Sequence, residues 1–159
     1  MNSPAELARR EFLTCRLGAE TYGVDILLVQ EIREVAEVTR VPHVSRFVRG
    51  VVNLRGAIVP IVDLGLMFGF ADPIDLKTAS AIILNVDNRM VGLIVSSVSD
   101  VLALADDEIL PAPELGEREI AAAISGIGSR RGAAVADAES SILLLDVEHI
   151  MRRVRQERE

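Results

Sequence analysis

The sequence predicts a mainly β protein built from small barrels or a sandwich. Three observations carry this reading. Branched and apolar residues cluster in short runs such as Ile58–Leu64, Ser80–Val86 and Ile142–Leu145, and short runs of that composition suit strands better than helices. The runs are separated by turn signals, namely Gly18-Ala19, Asn53-Leu54-Arg55-Gly56 and Asp87-Asn88-Arg89, at the spacing of hairpins. Regular spacing of many such strands indicates barrels or a sandwich, and the spacing itself does not choose between them.

Taken in order, residues 1–10 are polar and helix-permissive, a frayed and flexible lead-in. Glu11–Leu17 and Glu20–Val24 form a hairpin across Gly18-Ala19. Asp25 can then cap a short helix from Ile26 to about Arg33, with Ile26, Val29 and Ile32 at helical spacing. Glu34–Val41 reads as a strand ended by Pro42, which lacks a ladder donor. Phe47–Leu64 is a second hairpin closing in a helical turn near Gly65–Phe68. Ala71–Thr78 is the best internal linker. Ser80–Val86 and Met90–Val95 form a third hairpin across a polar turn, and Ser99–Leu104 continues as strand. Asp106–Gly116, with Pro111 and Pro113, reads as loop and turn. Glu119–Ile127 fits helix by its alanines and strand by its isoleucines. Ser129–Ser140 is small, polar and loop-like, Ile142–Leu145 is a buried strand, and Val147–Arg155 is a terminal helix.

The 159 residues, half of them apolar, are enough for one domain or two small lobes, burying roughly 70% of the unfolded surface. No apolar run approaches the roughly 18 residues of a membrane span. The opening MNSPAELARREF has charges and no apolar centre, unlike a secretory signal, so a cytoplasmic location is expected. A net charge of −7 with one Tyr, four Phe and no Trp argues against nucleic acid. The single Cys15 excludes an internal disulfide and reads as a buried thiol alternating with Leu13 and Leu17. His43 and His149 stand far apart without cysteines, so no metal site is expected. Asp106-Asp107-Glu108 lacks calcium-loop spacing, and Gly126-Ile127-Gly128 with Gly132 lacks the strand–helix frame of a nucleotide loop. Ser45, Ser80 and Ser99 have no His and Asp around them to make a nucleophile. Neither a catalytic residue nor a cofactor is predicted.

The most informative stretch is FVRGVVNLRGAIVPIVDLGLMFG, Phe47 to Gly69. It sets a charged Arg55 inside a run that otherwise reads as buried sheet, and such an arginine must be paired or exposed at an interface. Gly56 can take the positive φ that the turn requires. With no nucleophile, metal cluster or phosphate loop beside it, the block reads as a surface for another protein.

These segments, with Val29-Gln30-Glu31-Ile32-Arg33 before them, closely resemble the CheW family of bacterial chemotaxis adaptors. The resemblance continues through Val91-Gly92-Leu93-Ile94-Val95, Val98-Ser99-Asp100-Val101-Leu102 and Ile142-Leu143-Leu144-Leu145-Asp146. It implies two five-stranded, SH3-like barrels around a shared hydrophobic core, with short helices and a C-terminal helix. The domain then runs over 11–151 as two lobes, with a flexible N-terminus at 1–10 and a charged tail at 152–159. It implies a non-catalytic protein in cytoplasmic receptor clusters. The partners implied are the signalling tip of a chemoreceptor (a methyl-accepting chemotaxis protein), the regulatory domain of a CheA-type histidine kinase and, further, other CheW-like chains. Direct membrane insertion is not expected.

The resemblance also selects partner-binding candidates. Arg55 shapes the surface, with Glu31 as its natural partner. Val29 and Val101 match positions facing the receptor, while periodicity alone gives each a core role. Together they would line a groove for an amphipathic helix, edged by Glu31 and Arg55. Gly50 allows close backbone approach, so a larger side chain there would disturb the surface indirectly. Leu115 sits where relatives carry an apolar contact, though it equally suits a loop anchor. Arg152, Arg153, Arg155 and Arg158 read as a solvated face that complements a helix C-terminus.

The chain departs from the family at Gly65, where an arginine is common, and at Ser96, where an aspartate is common. The 129–140 loop is also longer than usual. These departures leave open a scaffold that binds receptors without activating a kinase, or an adaptor of a pilus-based or developmental pathway. A small β-barrel enzyme or ligand carrier is a remote third reading.

Overall fold

The computed structural model describes residues 9–35, 37–112, 123–129 and 141–156. In chain order the strands are β1 (Arg9–Leu17), β2 (Glu20–Asp25), β3 (Val29–Glu34), β4 (Val48–Leu54), β5 (Ala57–Asp63) and β6 (Ser80–Val86). They continue with β7 (Arg89–Val95), β8 (Ser97–Ala105), β9 (Ile109–Pro111), β10 (Ile124–Ser129) and β11 (Ser141–Leu145). The helices are α1 (Leu64–Met67) and α2 (Val147–Gln156). The mainly β class holds, in two sheets of six and five strands.

The chain divides into two compact units. One comprises the described parts of Met1–Leu27 and Val98–Asp146, the other those of Leu28–Ser97 and Val147–Glu159. The first unit carries the six-stranded sheet, ordered β8-β1-β2-β11-β10-β9. Its core gathers Phe12, Leu104, Ile142 and Leu144, with Leu102 and Ile109 packed against them. Cys15 is fully buried, as expected, and burial pushes its thiol pKa up to about 12. A buried Thr14 ties β8 to β1. Its Oγ1 lies 3.0 Å from both the carbonyl and the carboxylate oxygen of Asp100 and accepts from the Asp100 N–H at 3.2 Å.

The second unit carries the five-stranded sheet, ordered β3-β6-β7-β5-β4. Ile82, Ile83, Leu84, Leu93 and Ile94 are fully buried on its central strands. The β6–β7 hairpin turns through Asp87 and Asn88, both at positive φ, the two-residue geometry that matches strand twist. Helix α2 presents Val147, Ile150, Met151 and Val154 as its buried stripe, the i, i+3, i+4, i+7 spacing of an amphipathic helix. It runs on to Gln156, through part of the segment expected as a charged tail.

Several elements differ from expectation. The helix expected over Ile26–Arg33 is a 3-10 turn at Ile26–Leu28 followed by β3. Asp25 Oδ1 accepts from the Leu27 N–H at 3.0 Å, which closes a tight turn instead of starting a helix. The misleading helical spacing has a cause in the ladder. Val29 pairs with Leu84 and Ile32 with Ile82, with the register shifting between Val29 and Glu31. The extra residue of a bulge thus places two residues three apart on one strand face. The strand expected over Glu34–Val41 ends at Glu34 and keeps one isolated bridge, Thr39 with Val51. Within the expected Asp106–Gly116 loop lies β9, an edge strand on which Pro111 pairs with Gly126; an edge position tolerates proline. Ile124–Ser129 resolves as strand β10. The remainder of the 129–140 loop lies outside the described residues.

Candidate functional site

The β4–β5 hairpin turns on Arg55 and Gly56, whose φ values are 51° and 92°. Asn53 Oδ1 accepts from the Gly56 N–H at 2.9 Å and closes the turn. Positive φ at both central positions is the hairpin geometry that favours Asn-Gly, and arginine there is disfavoured by roughly 1–2 kcal/mol. A strained non-glycine residue at a turn is a reason to look for function.

Arg55 donates from Nη2 to Glu31 Oε2 at 3.0 Å, and its side chain is 65% exposed. Arg33 Nη1 reaches the other oxygen, Glu31 Oε1, at 3.4 Å. The β3 register explains the meeting. Glu31 faces Ile83 and Arg33 faces Ala81 across the ladder, so both project from one face of the sheet. The sequence expectation that Glu31 and Arg55 meet is fulfilled, but from a strand and not from a helix. Arg33 was overlooked; its i, i+2 spacing from Glu31 becomes meaningful only once the segment is extended.

Gly50 lies buried at the register shift between Val48 and Gly50, with φ 145°. A Cβ there would run into the Thr39 carbonyl oxygen and stand 2.6 Å from Val38 Cγ1. Close backbone approach is therefore its role, as expected. The bridge it permits has hydrogen bonds of 2.9 Å (Thr39 N–H to Val51 O) and 2.8 Å (Val51 N–H to Thr39 O).

Asp63 was also overlooked. It is fully buried and ends β5 as the N-cap of α1, accepting from the Leu66 N–H at 3.1 Å. Its other oxygen takes Arg49 Nη1 at 2.9 Å and the Ile74 N–H at 3.0 Å, while Arg49 also donates to the Ile74 carbonyl at 2.9 Å. The pair pins the Ala71–Thr78 connection within the second unit. Only the capping position of Asp63 could have been read from sequence.

Val29, at the start of β3, is half-buried. Val101 belongs to the other unit, where it is 46% exposed on edge strand β8. Leu115 lies outside the described residues. Gly65 is buried in α1, with the Phe70 ring 3.1 Å from where a Cβ would stand; the aromatic fills the space over that helix. Ser96 is exposed. Arg153 is half-buried, its guanidinium 4.9 Å from the Phe47 ring centroid, so it is not part of a solvated face. Arg152 and Arg155 are exposed, and Arg158 lies outside the described residues.

Among the described residues, no three His, Cys, Asp or Glu side chains gather to hold a metal, and no helix is long and apolar enough to cross a membrane. What the surface offers is exposed charge on a hydrogen-bonded hairpin turn, which suits recognition of another macromolecule.

The family model for the CheW-like domain matches residues 11–155. A chemotaxis protein CheW of Klebsiella aerogenes is 40% identical, over 92% of this chain and 84% of its own length. A probable chemotaxis protein CheW of Rhizobium etli is also 40% identical, over 76% of this chain and 80% of its own. The crystal structure of the scaffolding protein TtCheW from Thermoanaerobacter tengcongensis superposes with a TM-score of 0.74 at 27% identity, covering 86% of this chain and 88% of that one.

Proposed function

The chain belongs to the CheW-like domain family, and on that premise we propose that it is a non-catalytic adaptor of chemotaxis signalling. It couples the cytoplasmic tips of chemoreceptors to the regulatory domain of a CheA-type histidine kinase, in cytoplasmic clusters that include other CheW-like chains. Two relatives that cover most of this chain are named as chemotaxis proteins, and a solved scaffolding protein shares its fold.

The observation that carries the reading is the exposed Glu31–Arg55 pair on a strained turn. An exposed ion pair returns at most about 1 kcal/mol, which does no more than offset the backbone cost of an arginine at φ 51°. Stability alone gives no reason to keep it. A guanidinium fork held by a carboxylate, with donors left over for a partner, does give one. Val29, Glu31, Gly50, Arg55, Val101 and Leu115 are the partner-binding residues of this proposal, Gly50 acting indirectly.

The mechanism is a shift of populations. Receptor state changes how adaptor and kinase pack, and the kinase redistributes between active and inactive forms. Individually weak contacts gain strength from the multiplicity of an array. The test is autophosphorylation of the cognate kinase with clustered receptor signalling domains, with and without the chain. Receptor-dependent activation is expected. Binding to receptors without activation would favour a modulator or another pathway instead.

A further inference from the structure

The β6–β7 turn and helix α2 enclose a second surface, which uses none of the residues assigned above. Two adjoining hollows of about 230 and 270 Å³ share Arg89, Met151 and Arg155. Arg152 lines the first, and Ile58, 60% exposed, lines the second. Arg89, Arg152 and Arg155 are all exposed, and none makes an ion pair or hydrogen bond among the described residues. That sets them apart from Arg10, Arg33, Arg49 and Arg55, each of which holds a carboxylate.

We propose that this surface docks an acidic amphipathic segment of a protein partner, with its carboxylates on Arg89, Arg152 and Arg155 and an apolar side chain against Met151 and Ile58. The charge is complementary to acid, a local excess of arginine on a chain whose total is −7. Guanidiniums are the side chains best shaped for carboxylates. The exposed Ile58 beside them gives an apolar anchor the desolvated contact that interfaces centre on. Asp87 and Glu148 also line the first hollow. Their negative charge lowers the net potential of the hollow, which works against a continuous anionic sheet such as a lipid surface.

The test is a titration of the isotope-labelled full chain, followed by amide NMR, at low salt. The probe is a peptide of alternating Glu and Leu; its Gln-and-Leu counterpart, inorganic pyrophosphate and vesicles of phosphatidylserine with phosphatidylcholine are run beside it. Shifts should cluster at Val86–Arg89 and along α2 with the acidic peptide. Binding should weaken at least about tenfold on Arg89→Gln/Arg152→Gln/Arg155→Gln, or on replacing Glu by Gln in the probe, a loss of about 1.4 kcal/mol. Thermal unfolding of the variant should match the wild type, and Arg152→Gln alone, which keeps two guanidiniums, should give an intermediate loss. Equal binding by the Gln peptide or by the triple variant would overturn the proposal, as would shifts confined elsewhere or no binding at all. Pyrophosphate or vesicles binding this patch while the acidic peptide does not would assign it to phosphate or lipid and overturn it equally.

Discussion

Replacing Gly50 by alanine tests whether the hairpin that carries Arg55 depends on one close backbone approach. At φ 145° only glycine is comfortable, and forcing an L residue there costs about 1–3 kcal/mol. The new methyl would strike the Thr39 carbonyl and stand 2.8 Å from the Thr39 carbonyl carbon. Those are backbone atoms and cannot swing aside. Thr39 must retreat, and the two hydrogen bonds of the Thr39–Val51 bridge go with it, at about 1 kcal/mol each. A stiffer unfolded chain returns less than about 1 kcal/mol. The net loss is about 3 kcal/mol, or a fall in Tm of roughly 6–12 °C for a domain of this size. Urea denaturation should show the loss at unchanged m, and hydrogen exchange should show the Thr39 and Val51 amides unprotected. Gly56→Ala is the internal control, because φ is positive there but a Cβ meets nothing within 4 Å; its cost should be no more than about half as large. A loss below about 1 kcal/mol for Gly50→Ala, or intact protection at Thr39, would refute the reasoning.

Three further outcomes are expected. Val29→Met should weaken receptor-tip binding while changing stability by less than about 1.5 kcal/mol; unaltered binding in a pull-down would return Val29 to the core. Asp63→Asn should destabilise by about 3 kcal/mol, since it leaves Arg49 without its buried carboxylate; a change under about 1 kcal/mol in urea titration would contradict that. The Cys15 thiol, raised to about 12 by burial, should be inert to thiol reagents in the native state. Because the unfolded state releases this proton first, stability should hold below about pH 9 and then fall by up to about 1.4 kcal/mol per pH unit as pH rises toward the folded value. Cys15→Ala should make that slope shallower, leaving the share of Tyr22, whose hydroxyl is also pushed up to about 12 by burial, and an unchanged slope would show that the thiol contributes nothing to it.

The three hairpins were legible because each combines short apolar runs with a turn signal that has a mechanism, as at Arg55-Gly56 and Asp87-Asn88. Val147–Gln156 was legible through its helical stripe. The segment after Asp25 was not, because a bulge at Gln30 counterfeits helical spacing and its pairing with the largely buried β6 is not visible locally. β9 was hidden by Pro111, which signals a loop until an edge position is known. At the candidate site, Arg55 announced itself as a charge within an apolar run, and Gly50 as a glycine inside a strand. Arg33 was silent because its i, i+2 spacing from Glu31 matters only in an extended segment, and the Arg49–Asp63 pair because pairing across 14 residues depends on register and not on local pattern.

The most direct test of the adaptor's central surface is kinase activation by Arg55→Asn in the receptor-cluster assay, read beside its melting curve. Asparagine accepts positive φ readily, so the turn should survive with stability within about 1 kcal/mol of wild type. Receptor-dependent autophosphorylation should fall at least about tenfold. Wild-type activation by a stably folded Arg55→Asn chain would contradict the account and leave the Glu31–Arg55 pair as surface chemistry without a partner.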